Sequence, residues 1–313
     1  MTATLMKSVH ALRDNVAGVF LGNRAALDCT IATLLARGHL LIEDVPGVGK
    51  TVLASALARS IDCAFARIQL TPDLLPTDIL GVSIYRRESE TFEFKRGPIF
   101  ANLVLADEIN RATPRAQTAL LEAMNEAAVT VDGRTYPLDP PFMLVATQNP
   151  HEFEGTYALP ENQLDRFLMR IKLGYPSAAD EARVLELRPA ARPLHELRPV
   201  MTGAEMVALQ SQTDRVRLDR TLIDYIIALA ARTRDHGDLR VGVSPRGALA
   251  LAQAARATAV LSDRAHVIPE DISACFLVVC AHRVIPNSYS GSSEAAAAEA
   301  ILTDVLHATP SPT

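Results

Sequence analysis

The sequence predicts an α/β protein: a parallel five-stranded sheet with its helices, followed by a second, all-α domain. Three observations carry this. Short apolar runs at Leu40 to Ile42, Asn102 to Ala106 and Phe142 to Ala146 read as strands buried on both faces, as parallel strands are. Segments of helical period lie between them. After Tyr175-Pro176 the strand pattern stops and six helical segments follow.

In chain order, Leu5 to Phe20 has Val9, Leu12, Val16, Val19 and Phe20 at helical spacing, and a second helix spans Ala25 to Ala36, ended by Gly38. The Leu40 to Ile42 strand runs into a Pro/Gly loop and a helix reaching about Ser60. A strand over Cys63 to Leu70 follows, then TPDLLPTDILG, interrupted by Pro72 and Pro76. Alternation from Gly81 to Lys95 predicts a projecting hairpin. The Asn102 to Ala106 strand comes next, and a helix opens at Pro114 with Ala116, Ala119, Leu120, Ala123, Met124 and Ala127 apolar. Asp132-Gly133 signals a second hairpin before the Phe142 strand. Leu168 to Leu173 supplies the fifth strand. The remaining helices are expected at Ala178 to Leu187, Gly203 to Gln212, Asp219 to Arg234, Arg246 to Leu261, Pro269 to Ala281 and Ser293 to His307.

Composition excludes several classes. No run approaches the roughly 20 apolar residues of a membrane span, and the first ten residues hold one lysine and no long apolar stretch, so a cytoplasmic protein without membrane insertion is expected. A net charge of −5 gives no global attraction to nucleic acid. Cys29, Cys63, Cys275 and Cys280 lack zinc-ligand spacing and read as small buried hydrophobes. The His151-Glu152 pair has no H-E-x-x-H partner, which argues against a metal there.

The chemistry gathers at strand ends. The stretch HLLIEDVPGVGKT is strand, tight loop and helix start, the geometry that cradles polyphosphate. Gly47 and Gly49 let the backbone of Pro46 to Val52 curl around phosphates, Lys50 would reach the terminal ones, and the Thr51 hydroxyl would take one Mg²⁺ position. Lysine occurs only at Lys7, Lys50, Lys95 and Lys172, so its use here is selective. Asp44 stands where the general motif has its first glycine; repulsion requires its carboxylate to face away from the phosphates. Asp107 and Glu108 end the next buried strand, one suited to hydrated Mg²⁺ and its neighbour to polarising a water. Asn149 ends the strand after that, an uncharged amide suited to a γ-phosphate or its attacking water. Alone, Arg166 in PENQLDRFL reads as half of a surface pair with Asp165, and Arg246 in GVSPRG as a helix-start arginine.

Taken together these elements resemble an AAA+ ATPase of the MoxR family. The likeness is dense from Leu40 to Pro176, through EDVPGVGKT, QLTPDLLPTDILG, KRGPIFANLVLADEINRATPRAQTALLEAMNE, VTVDG, VATQNP, EGTYALPENQLDRF and GYP, and GVSPRGAL extends it. The resemblance implies a P-loop AAA+ core over residues 1–175 and a helical lid over 176–313, binding ATP with Mg²⁺ at the boundaries of a ring of about six copies. It makes Arg166 an arginine finger for the neighbouring subunit's ATP, a role worth ~10³ to 10⁵ in rate, and Arg246 the lid's nucleotide sensor. The two hairpins would face the pore or one ring surface. It further implies a chaperone-like role on an unidentified protein client, often with a von Willebrand A-domain adaptor. Two other readings stay open at this stage: a nucleic-acid-dependent motor or loader using Arg86, Arg87, Lys95 and Arg96, and a nucleotide-dependent scaffold that does not hydrolyse.

Overall fold

The computed structural model describes residues 3–149, 157–186, 194, 196–287 and 294–312; the His151-Glu152 pair lies outside them. Two helices, α1 (Ala3–Ala17) and α2 (Arg24–Leu35), precede β1 (Leu40–Glu43), α3 (Lys50–Ser60) and β2 (Phe65–Gln69). The Pro-interrupted stretch holds one short helix, α4 (Pro76–Leu80), which the sequence reading did not place. Pro76 occupies its first turn, where the missing N–H costs nothing. The first hairpin is β3 (Gly81–Arg86) and β4 (Thr91–Arg96). Then come β5 (Leu103–Asp107), α5 (Pro114–Glu126), the second hairpin β6 (Ala128–Val131) and β7 (Arg134–Pro137), β8 (Met143–Gln148), α6 (Glu161–Leu164) and β9 (Met169–Ile171).

Five strands form one parallel sheet in the order β2-β5-β8-β1-β9. Alternation within each strand sorts its side chains onto two buried faces. Leu40, Ile42, Leu103, Leu105, Met143 and Val145 pack with α1, α2 and α3, whereas Leu41, Val104, Ala106, Leu144 and Ala146 pack with α4 and α5. Truncating such a leucine to alanine costs about 2 to 5 kcal/mol. His39, at the foot of β1, ties this sandwich together. Its ring bonds the Met124 carbonyl at the end of α5 and the Leu144 amide at the start of β8, both at 3.0 Å.

The C-terminal part is helical as expected: α7 (Ala178–Glu186), α8 (Gly203–Thr213), α9 (Arg220–Arg234), α10 (Pro245–Leu261), α11 (Pro269–Cys280) and α12 (Glu294–Ala308). It also holds a small antiparallel pair, β10 (Leu239–Val241) with β11 (Ile285–Pro286), too short to leave a period in the sequence. Asp219 sits at the N-cap of α9, but its carboxylate is engaged by Arg217 and makes no cap bond. The apolar core continues from α1 and α2 into α8, α10 and α11, and the buried Gln210 amide of α8 donates to the Leu34 carbonyl of α2 at 2.7 Å. The hairpins pack on each other through Phe94 stacked on Tyr136 and Ser83 bonded to Asp132. Tyr85 and Phe92 are left exposed at the first hairpin's end. Among the described residues no helix is long and apolar enough to cross a membrane. Cys275 and Cys280 are buried as expected, while Cys29 and Cys63 are half-buried.

Candidate active site

The loop between β1 and α3 has the conformation its glycines permit. Gly47 and Gly49 adopt φ of +87° and +91°, where a β-carbon would be strained, and a Cβ on Gly47 would meet nothing within 4 Å. Gly49 caps α3 without a side chain, so the first amides and the positive end of that helix are open to an anion. Pro46, Gly47 and Val52 are exposed, Lys50 and Thr51 are half-buried, and Val48 anchors the loop in the core. The Lys50 ammonium donates to the Asp44 carbonyl at 2.5 Å. The Asp44 carboxylate turns away from the loop, accepting the amides of Leu173 and Gly174, both at 2.7 Å, on one oxygen and that of Val45 at 2.8 Å on the other.

The acids at the end of β5 are more tightly organised than the sequence suggested. Asp107 ends the strand, and its Oδ1 accepts the Thr147 hydroxyl at 2.6 Å. The same hydroxyl oxygen accepts the Glu108 amide at 2.9 Å. Buried Thr147, on β8 between β1 and β5, therefore sets both acids at once. Glu108 lies beyond the strand at φ +59°, a left-handed conformation uncommon outside glycine, so a backbone turn rather than strand alternation aims its carboxylate. That carboxylate meets Gln69 at 2.9 Å and Arg111 at 3.3 Å, while Arg67 holds the second oxygen of Asp107 at 2.6 Å. Thr147, Arg67 and Gln69 were missed by sequence reasoning. The signal was present in RIQL, where Arg67 and Gln69 alternate along β2 and pair in register with Leu105 and Asp107. Buried Asn149 follows β8 directly.

Arg166 and Arg246 lie at the other end of the sheet. Strands β1 and β9 are parallel, with Leu40 opposite Met169, and the Leu168 amide donates to the His39 carbonyl at 2.8 Å. Leu168 is thus level with His39, and Arg166 lies in the turn just before it, whereas the phosphate loop begins after β1. The five extended residues from His39 to Asp44, at about 3.3 Å each, put roughly 16 Å between that level and the loop. Arg166 is half-buried; its guanidinium donates to the Leu121 carbonyl of α5 at 3.0 Å, and among the described residues its buried Nε has no hydrogen-bond partner. Arg246 meets Asn125, one turn further along α5, at 3.1 Å, and approaches Asp165 at 4.0 Å.

Asp165 is also the partner of an enclosed ion pair. Arg283, 3% exposed, donates from Nε to Asp165 at 2.8 Å and to the carbonyls of Asp165, Phe167, Leu168 and Val279. Burial pushes its pKa down and Asp165 pushes it back up, and a guanidinium stays charged. Its neighbour His282 is buried against the Phe167 carbonyl, and burial followed by the Arg283 charge drives its pKa well below the usual range.

The residues present fit a magnesium-bound triphosphate. An uncapped helix start and a left-handed glycine cradle suit phosphate oxygens, and the Thr51 hydroxyl and Asp107 carboxylate are hard oxygen donors of the kind Mg²⁺ takes. Comparisons with known proteins show the family to which such a core belongs. Residues 39–169 match the ATPase family associated with various cellular activities (AAA), and residues 231–305 match the AAA lid domain. The chain is 48% identical over 295 residues to YeaC of Bacillus subtilis (strain 168), covering 94% of this chain and 92% of that one. It is 37% identical over 314 residues to the protein named chaperone MoxR1 of Mycobacterium tuberculosis, covering 96% and 82%. A solved structure from Cytophaga hutchinsonii, of a protein taken to be an ATPase, superposes with a TM-score of 0.90 at 35% identity over 99% of this chain and 96% of that one. With the P-loop core, the helical lid and these relatives in hand, the chain belongs to the MoxR family of AAA+ ATPases.

Proposed function

We propose that this chain binds and hydrolyses ATP with Mg²⁺ as a chaperone-like remodelling ATPase, working in the cytoplasm as a ring, expected to be a hexamer. One observation carries the reading: across the single strand β8, an open helix start bearing Lys50 and Thr51 faces the paired acids that Thr147 holds. In this scheme the amides of Pro46 to Val52 receive the phosphates and Lys50 leaves the Asp44 carbonyl for the terminal ones. Thr51 and Asp107 hold Mg²⁺, which when bound neutralises charge developing on the phosphoryl group. Glu108 takes the proton of the attacking water, and Asn149 orients that water against the γ-phosphate.

Arg166 completes a neighbour's site. The roughly 16 Å along the sheet between that level and its own loop keeps it from serving its own ATP. Its unpaired Nε, worth about 1 to 3 kcal/mol of lost hydrogen bonding, favours release toward an outside oxyanion. Arg246, anchored at the same end, serves that same neighbouring nucleotide. The scheme divides the chain into a core of residues 1–175 and a lid of 176–313, supported by the left-handed turn at Gly174 (φ +68°) just after β9. A von Willebrand A-domain adaptor and a protein client belong to the same proposal, with exposed Tyr85 and Phe92 as the docking candidates. Nucleic acid fits less well, because Arg86 on that hairpin is engaged by Glu93 at 2.6 Å and the chain carries a net charge of −5.

Glu108→Gln is the direct test. ATP binding should persist while steady-state hydrolysis falls about 10²-fold or more; ordinary turnover would remove the general base from the scheme. Arg166→Ala and Lys50→Ala chains should each be inactive. Mixed in equal amounts they should regain about a quarter of wild-type activity, since one boundary in four then pairs an intact Lys50 with an intact Arg166. No regain in assembled mixtures would refute action across the boundary.

A further inference from the structure

Asp44 departs from the glycine that a phosphate loop ordinarily carries there, and a glycine would bind phosphate without repulsion. The structure shows what the carboxylate does instead. Two consecutive amides, Leu173 and Gly174, converge on one of its oxygens at 2.7 Å each, brought together by the left-handed turn at Gly174. The other oxygen accepts the Val45 amide at 2.8 Å, and the Asp44 carbonyl, on that same peptide plane, accepts Lys50 at 2.5 Å. The plane between Asp44 and Val45 is therefore gripped on its N–H side by the carboxylate and on its C=O side by the lysine. The Asp44 amide in turn donates to the Gln148 carbonyl of β8 at 3.1 Å. One residue thus joins the lysine that meets the nucleotide to the peptide that leaves the core for the helical part.

We infer that Asp44 is a positioning residue, fastening the phosphate loop to the Leu173–Gly174 peptide so that nucleotide binding at Lys50 is transmitted to the lid. The inference rests on the reading of Lys50 as the phosphate-binding lysine. When Lys50 moves to a phosphate, the Asp44–Val45 plane loses one of its two grips. The carboxylate shifts with it, and the two linker amides follow the carboxylate. A glycine at this position would leave phosphate binding intact and sever the connection.

The experiment is amide hydrogen exchange on the full-length chain, with and without ADP–Mg²⁺ and a non-hydrolysable ATP analogue, in wild type, Asp44→Gly and Asp44→Asn. In wild type the Leu173 and Gly174 amides should exchange slowly and change on nucleotide binding. In Asp44→Gly they should exchange about tenfold faster, which is about 1.4 kcal/mol of protection lost per amide, and should no longer respond to nucleotide. Nucleotide affinity should stay within about twofold and KM for ATP should follow it, while kcat falls several-fold, because transmission rather than binding is lost. Asp44→Asn, nearly isosteric, retains one acceptor oxygen and should fall between the two; it is the variant to read if the glycine chain does not fold. Wild-type exchange at Leu173 and Gly174 in the variants, or an unaltered nucleotide response there, would overturn the inference. A separate outcome, nucleotide binding unaffected by Lys50→Ala, would refute the phosphate-loop reading instead; the carboxylate's hold on the two amides would still be measurable without nucleotide.

Discussion

Removing the Asp165 carboxylate tests whether the ion pair with Arg283 holds the lid to the core. Arg283 is 3% exposed and Asp165 23%, so Asp165→Ala strands a buried guanidinium. Breaking a buried pair from one side costs about 3 to 5 kcal/mol. The four carbonyls that remain around Arg283 and the partial exposure of Asp165 put the loss at the lower end, about 3 kcal/mol. At about 2 °C per kcal/mol for a chain of this size, the Tm should fall about 6 °C. Asp219→Ala is the control: its pair with Arg217 is 51% and 71% exposed, and its loss should cost under about 0.5 kcal/mol. Arg283→Met added to Asp165→Ala removes the uncompensated charge but also the donor to the four carbonyls, so it should recover part of the deficit. Thermal unfolding followed by circular dichroism reads all four chains. Equal shifts for Asp165→Ala and Asp219→Ala, or a double variant no better than the single one, would refute the reasoning.

Two further outcomes are expected. Thr147→Val keeps the shape of β8 and removes the bonds to Asp107 and to the Glu108 amide, so kcat should fall about 10- to 100-fold with nucleotide affinity nearly unchanged; wild-type kcat would show that these bonds do not set the acids. Burial lowers the His39 pKa to about 4, against a smaller opposing effect of the Met124 carbonyl, while the unfolded chain takes up the proton near pH 6.5. The stability this neutral ring contributes is complete above pH 6.5 and is lost as pH falls toward 4, about 3 kcal/mol in all. Urea midpoints between pH 7.5 and 4.5 should therefore fall less steeply in His39→Gln than in wild type, and parallel slopes would exclude His39 as the source.

Much of this was legible in the sequence because its signals are local. The apolar runs at Leu40, Asn102 and Phe142 announce buried strands, since a parallel sheet leaves no polar face to alternate with. Caps and prolines placed the lid helices to within a residue or so: the expected span Gly203 to Gln212 is Gly203–Thr213, and Pro269 to Ala281 is Pro269–Cys280. The direction of the Asp44 side chain followed from charge repulsion alone, and its partners bear that out. What stayed hidden depends on register. Nothing local marks Thr147 as the residue that touches both acids, because that contact exists only once β8 lies between β1 and β5. The same holds for Asp165. Beside Arg166 it reads as half of a surface pair, whereas its real partner, Arg283, is 118 positions away and buried. The strand pair β10 and β11 is hidden for a simpler reason, being three and two residues long.

The geometry of β9 decides how a lid held in this way can move. The strand is three residues long, with Met169 and Ile171 in the core, and close-packed interiors leave no slack for it to stretch or slide. At its amino end Arg283 grips Asp165, Phe167 and Leu168 from the lid; at its carboxyl end Asp44 grips Leu173 and Gly174 from the phosphate loop. The two grips differ in their access to water. The buried ion pair costs about 3 kcal/mol or more to break from one side, and the two charge-assisted bonds from the Leu173 and Gly174 amides to Asp44, at about 1.5 to 3 kcal/mol each, are of similar total strength, but the half-buried carboxylate, unlike Arg283, is open to replacement by water. The Gly174 end, where water can replace a broken bond, yields before the Arg283 end in the proposed scheme. In the proposed scheme this ordering keeps Arg166 fixed at the boundary with the neighbouring chain, while the end of β9 that yields lies beside the phosphate loop, where nucleotide binding acts.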